Sequence, residues 1–113
     1  MIKYVVLPEQ RKVIGYIDGT KNDAIKKIMR LTHGTGLAVT DCKKYVMPDC
    51  FKAEVVCDPE DEWNEEEGKR IAKERVMKRY YKSFHKKMNI FYNKCYMLTS
   101  IVLYDAAKKR HGN

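Results

Sequence analysis

The sequence predicts an α+β fold: an N-terminal antiparallel β-sheet of about five strands with one short inserted helix, then one long C-terminal helix at an oligomer interface. Three patterns point to it. The first half is a series of short runs rich in β-branched and aromatic residues, cut by turn residues. One stretch inside that half, Asp23 to Thr32, carries apolar residues at helical spacing instead. From Met77 to Val102 an apolar residue recurs every seven positions on two columns. Met77, Phe84, Phe91 and Leu98 form one column, and Tyr81, Met88, Cys95 and Val102 the other. That is the a/d stripe of a helix that packs against a partner.

Ile2 to Leu7 reads as a strand ended by Pro8, and Lys12 to Asp18 as its hairpin partner, with Glu9-Gln10 in the turn. Gly15 inside the second strand signals a bulge or a close backbone approach. Asn22 or Thr20 caps the short helix. Ala24, Ile25, Ile28, Met29 and Leu31 supply its buried face, and Lys26, Lys27 and Arg30 its wet one. His33-Gly34-Thr35-Gly36 stops it. Leu37 to Thr40, Lys44 to Met47 and Phe51 to Cys57 complete the sheet, joined by turns at Asp41-Cys42-Lys43 and Pro48-Asp49.

Asp58 and Pro59 suit a helix-like exit from the sheet, and Trp63 is expected to fold back on it. Asn64, with Glu67 three residues later, is a capping-box variant that starts the long helix. Seven of the 15 acids lie between Asp58 and Glu67, where carboxylates complement a helix N-terminus. Gly68 costs about 1 kcal/mol in a helix relative to Ala. Close packing of the Gly68–Ala72 turn on the sheet is the simplest reason for it. A helix from 64 to 109 is roughly 70 Å long. That exceeds what a small sheet covers, so a homodimer or higher oligomer is expected. The whole of 1–113 is read as one domain, with the sheet and inserted helix at 1–57.

The 113 residues carry 23 Lys and Arg against 15 Asp and Glu, a formal charge of +8 that favours an anionic partner. The N-terminus has no signal-peptide pattern and enters directly into a strand, as expected of a complete small gene product. No run reaches the ~18 apolar residues of a membrane span. Cys42, Cys50, Cys57 and Cys95 form no Cys-x-x-Cys pair, so no zinc site is expected and the thiols read as reduced. A Cys42–Cys50 bridge across a hairpin is possible but not required. Cys57 and Cys95 read as small hydrophobes.

Enzyme chemistry is not expected. His33, His85 and His111 pair with no nucleophile or metal-ligand pattern, and no cofactor is implied. Gly34 and Gly36 lack the strand–loop–helix context and the Lys of a phosphate loop, though their N–H groups can meet an anion. The stronger signal is aromatic and basic residues interleaved on the long helix. Lys69 to Lys87 holds nine basic residues and one acid, Glu74. Aromatic faces stack bases, and Lys or Arg pair with phosphates. Tyr81, Phe84 and Phe91 belong to the seam in this frame. Tyr80, Tyr92 and Tyr96 flank it and are freer to meet a ligand. Lys108-Lys109-Arg110 forms a second basic group.

The run from Phe51 through Cys57-Asp-Pro-Glu-Asp-Glu-Trp to Gly68-Lys-Arg-Ile-Ala72 resembles a segment common in small phage and prophage proteins. With the hairpin, the inserted helix and the long final helix, the whole chain resembles the first Thoeris anti-defence family. That resemblance implies a sponge in the host bacterial cytoplasm. It would bind a cyclic ADP-ribose-type immune signal without cleaving it, with cyclic oligonucleotides as possible further ligands. An aromatic stacks the base in that family, and a late Asn and Arg hold ribose and phosphates. The matching positions here are Phe84 or a neighbouring Tyr, Asn93 and Arg110, with Lys109 beside them. The chain ends three residues after Arg110, so any basic contact further along is absent. Two other classes stand beside it: a basic nucleic-acid binder using the Lys69–Lys87 face, and an inhibitor acting by direct contact with a host protein.

Overall fold

A computed structural model describes residues 1–35 and 42–111, with side chains as far as Met97. Three antiparallel strands form one sheet in the order β1 (Lys3–Leu7), β2 (Lys12–Asp18), β3 (Cys50–Val56). Helix α1 (Asp23–Thr32) follows β2, and helix α2 (Glu65–His111) ends the chain.

β1 and β2 form the expected hairpin, with Val5 opposite Ile14 and Leu7 opposite Lys12. A 3-10 turn at Pro8–Gln10 closes on Arg11, whose φ of +52° is left-handed. That conformation costs a non-glycine residue roughly 1–2 kcal/mol. Long-range bonds hold it there. The Arg11 carbonyl accepts the Cys57 N–H at 2.7 Å, and its guanidinium donates to the carbonyls of Asp58 (3.2 Å) and Asp61. The hairpin turn is thus tied to the segment that leaves the sheet. Cys57 lies half-buried with its sulfur 3.4 Å from that guanidinium, a polar setting rather than the apolar one expected.

Among the described residues the sheet has three strands, and the five expected are not seen. Lys44 to Met47 is not a strand: Cys42–Tyr45 is a 3-10 turn. Tyr45 and Met47 are both buried, which imitates a strand's alternation. Their backbone bonds are local or reach the β2–α1 loop, as in the 2.9 Å bond from Met47 N–H to the Lys21 carbonyl. The expected strand at Leu37–Thr40 lies outside the described residues.

α1 has the expected bounds, with Ala24 and Ile28 buried. Met29 and Leu31, assigned to its buried face, are exposed, because only one narrow stripe of this helix meets the core. Asn22 makes no side-chain cap, and the Thr20 hydroxyl donates to the Pro48 carbonyl at 2.5 Å instead. All four cysteines are free thiols.

α2 starts as the capping pattern requires: Asn64 Oδ1 accepts the Glu67 N–H at 3.1 Å. The Glu67 side chain does not complete the box. It forms a fork with Arg70 at 2.5 and 3.0 Å, which holds its carboxyl below the usual range. The segment before it is a turn and not a helix. Asp58 Oδ1 accepts the Glu60 N–H at 2.9 Å, and Trp63 is half-buried and lines one cleft with Val13 and Ile71.

Two small residues let α2 lie directly on the sheet. A Cβ at Gly68 would stand 2.8 Å from Val13 Cγ2, and one at Gly15 would stand 3.0 Å from the Ala72 Cβ. Gly15 faces Tyr4 on one side and Ala53 on the other without a bulge, so its role is the close approach. Over this crossing, Ile17, Phe51 and Ala53 meet Val76, and further along Tyr45 and Met47 join Met88 and Phe91 in the same core. The Tyr45 and Phe91 rings meet edge to face at 6.2 Å.

The heptad frame needs correction here. Beyond Ala72, the described residues of α2 that pack on its own domain's core are Val76, Tyr80, Phe84, Met88, Phe91 and Cys95. Their spacing is four, four, four, three, four. Val76 and Tyr80 thus replace Met77 and Tyr81, and Tyr81 is 48% exposed. α2 runs unbroken for 47 residues, and the molecule measures 78 × 23 × 19 Å. The helix therefore extends roughly 24 Å beyond Cys95, the last core-packed side chain among the described residues. Among the described residues, no helix is long and apolar enough to cross a membrane.

Candidate functional site

The face of α2 opposite the core gathers the chain's charge. Between Arg75 and Tyr96 the sequence has seven Lys or Arg and no acid. Arg75, Lys78, Arg79, Lys82 and Lys86 are all exposed. At about 100° per residue they fall within one arc of roughly 100°. Two of them also cover the outer edge of β3. Arg75 donates to the Glu54 carbonyl at 3.2 Å, and Arg79 to the Lys52 carbonyl. These carbonyls belong to an edge strand that would otherwise be open to pairing. Arg70, nearer the helix start, is spent on Glu67 and Glu74 and does not join the strip.

A second band runs beside the cations. Tyr81, His85, Tyr92 and Tyr96 occur at spacings of four, seven and four, which places them within an arc of about 60°. The three tyrosines are 48%, 51% and 75% exposed, and His85 is exposed as well. Tyr81 and His85 already stack on each other, at 5.9 Å and 29°. The aromatic band lies between the inward row and the cationic row. It extends for about 22 Å along the helix. Tyr92 and Tyr96 are residues that the sequence frame leaves free to meet a ligand, whereas it puts Tyr81 in the seam and gives His85 no site role. The four–seven–four spacing was the signal that could have found them.

Tyr80 faces the other way. Its hydroxyl donates to Asp23 Oδ2 at 2.6 Å, and its ring meets Phe51 edge to face and lies nearly parallel to Phe84 at 6.0 Å. Burial, then the Asp23 carboxylate, pushes its pKa well above the ordinary tyrosine value. Tyr80 also borders a cleft of about 650 Å³ between the N-terminal strand, the β2–α1 turn and α2. Asp18, Thr20, Asp23 and Lys73 supply its polar groups, and Ile2, Tyr4, Ile17 and Met77 its apolar ones. None of those eight residues was marked as a site from the sequence, because three separate segments converge there.

The other expected ligand residues do not gather in one protomer. Phe84 is half-buried against the core, while Asn93 and Tyr92 are exposed on α2. Phe84, Asn93 and Arg110 lie on one helix, with about 39 Å between the first and last. The backbone of Lys109 and Arg110 is helical, and their side chains lie outside the described residues. Gly34 is exposed just after α1 with φ +76°, and Gly36 lies outside the described residues. Among the described residues, no group of three His, Cys, Asp or Glu could hold a metal ion. Compared with protein-family models, with curated proteins and with solved structures, the chain matches none of them.

Proposed function

We propose that the chain binds single-stranded nucleic acid along the outer face of α2, without chemical turnover. The observation that carries this reading is the exposed aromatic row beside an acid-free row of cations. Bases of any sequence stack on Tyr81, His85, Tyr92 and Tyr96. Phosphates pair with Lys78, Lys82 and Lys86. A stacked base contributes about 1–3 kcal/mol, and each neutralised phosphate adds to the salt dependence. Three such phosphate contacts give a slope of about −2 in log K against log salt for a single strand.

Fluorescence anisotropy with a short labelled oligonucleotide tests it. Tyr92→Ala with Tyr96→Ala should weaken binding at every salt concentration and leave the slope alone. Lys78→Glu, Lys82→Glu and Lys86→Glu together should abolish binding. Equal affinity for a duplex, whose bases are not free to stack, would remove the aromatic row from the mechanism. Absence of binding at low salt would remove the proposal.

A second reading is sequestration of a cyclic ADP-ribose-type signal in the host bacterial cytoplasm. What supports it is the pattern of apolar exposure on the far half of α2. Ile90, Tyr92, Tyr96 and Met97 are 37%, 51%, 75% and 64% exposed, a surface a second copy would cover. Antiparallel pairing of two α2 helices centred near Met97 sets Phe84 of one beside Arg110 of the other. The site is then built only in a homo-oligomer. Mass spectrometry of the supernatant released by heating ligand-incubated protein separates the readings. An intact cyclic nucleotide near one per protomer supports this one, and an empty supernatant opposes it.

A further inference from the structure

The cleft on the β1 side of α2 is separate from the cationic strip and takes no part in the function proposed above. Its charge pattern is different. Two carboxylates, Asp18 and Asp23, and one ammonium, Lys73, stand around an apolar floor. Asp18 already pairs with Lys3 at 3.3 Å. Asp23 is fixed by the Tyr80 hydroxyl on Oδ2, which leaves Oδ1 with no partner among the described residues. Lys73 is exposed and makes no ion pair among the described residues. At about 650 Å³ the space is in the range of small-molecule sites, which run from about 300 to 1,000 Å³.

We propose that this cleft binds a guanine nucleoside. A ligand here must present hydrogen-bond donors to a carboxylate and acceptors to an ammonium, on a flat body that tolerates apolar walls. Guanine carries N1–H and N2–H donors on one edge, which suit the oriented Asp23 carboxylate. Its O6 and N7 acceptors on the neighbouring edge suit Lys73. Adenine offers an unprotonated N1 at the position where guanine has a donor, so it would set a lone pair against the carboxylate. Tyr80 supplies an aromatic wall and, through its bond to Asp23, the carboxylate's orientation. Asp23, a carboxylate with no cationic partner among the described residues, opposes a phosphate tail. The affinity order is therefore guanosine above guanosine monophosphate above the triphosphate, the reverse of what a phosphate-binding site gives.

Calorimetry of the intact chain with guanosine, inosine, adenosine and the guanine nucleotides tests this. Guanosine binds, inosine is weaker because it lacks the N2 amine, and adenosine gives no saturable heat. Asp23→Asn removes the charge without changing the shape and lowers guanosine affinity by about tenfold or more, as for a lost hydrogen bond to a charged group. Lys73→Gln, on an exposed side chain, gives a second variant whose folding is not at risk, and it weakens guanosine as well. Melting curves of both variants establish that they are folded. Oligonucleotide binding to the α2 strip is unaffected in both, so failure here and failure of the strip are told apart. No guanosine heat with folded wild-type protein, equal binding of adenosine, tighter binding as phosphates are added, or full affinity in Asp23→Asn would each overturn the proposal.

Discussion

Replacing Gly68 with Ala sets two opposing effects against each other. Alanine is favoured over glycine in a helix by about 1 kcal/mol, so a free helix would gain stability. Here the added methyl would stand 2.8 Å from Val13 Cγ2 and 3.5 Å from Val13 Cβ. Val13 is 0% exposed, lies in the central strand and has a stiff β-branched side chain, so it has little room to yield. Overpacking of this kind costs about 1–3 kcal/mol. The net expectation is a loss of about 1 kcal/mol, or roughly 4 °C in melting temperature for a chain of this size. The Val13→Ala background reverses the sign. The opposing methyl is gone, and Gly68→Ala should then stabilise by up to about 1 kcal/mol. Four proteins, followed by circular dichroism in urea, complete the cycle. If Gly68→Ala stabilises the wild-type background, the close approach of α2 to β2 is not what keeps glycine there.

Three further outcomes follow from particular contacts. Tyr80 ionises later than a free tyrosine because its neutral hydroxyl is buried and bonded to Asp23. Its contribution is fully present below the unfolded value near pH 10 and is lost as pH rises through the folded pKa. Absorbance titration near 295 nm should therefore show a late phase that is missing in Tyr80→Phe. Removing both Arg75 and Arg79 as alanines uncovers the Lys52 and Glu54 carbonyls on the edge of β3. Stability should fall by roughly 1 kcal/mol, and light scattering should show association that grows with concentration. Sedimentation at micromolar concentration should show a species larger than one protomer, and Tyr96→Glu with Met97→Glu should shift it to the monomer without unfolding the sheet. A wild-type monomer would remove the paired-helix arrangement and the shared nucleotide site with it.

Much of the scaffold was legible because local chemistry and global fold agree there. The hairpin, α1, the last strand and the start of α2 each carry their own signals: Pro8, the four-residue spacing of Ala24 and Ile28, the β-branched run before Cys57, and Asn64 with Glu67. Gly15 and Gly68 were informative for the same reason. A glycine in a strand or helix interior is costly, and each marked a place where two backbones meet. The strand assigned to Lys44–Met47 failed because Tyr45, at the end of the 3-10 turn, and Met47, two residues on and past it, are both buried, which copies the two-residue alternation of a strand. Only the backbone partners distinguish the two: Val46 bonds back to Lys43, and Met47 reaches Lys21, far away in sequence.

The site was less legible, and the reason lies in one residue of phase. A seven-residue repeat fits Met77, Tyr81, Phe84 and Met88, and it also fits Val76, Tyr80, Phe84 and Met88 once four-residue steps are allowed. Apolar content does not decide between them, since both contain one tyrosine. What decides is that Phe51 and Asp23 give Tyr80 an edge-to-face partner and a hydrogen-bond acceptor, while Tyr81 stays 48% exposed. Moving the inward row by one position turns Tyr81 outward, into line with His85, Tyr92 and Tyr96. An aromatic residue in such a row gains no burial in the core, so the row is apolar surface open to a partner. The charge follows the same geometry. Acids collect before Gly68, where the helix N-terminus favours them, and after Glu74 none appears until Asp105. Helix packing on the sheet therefore sets which aromatics face water, and the absence of acids beside them sets what those aromatics can attract.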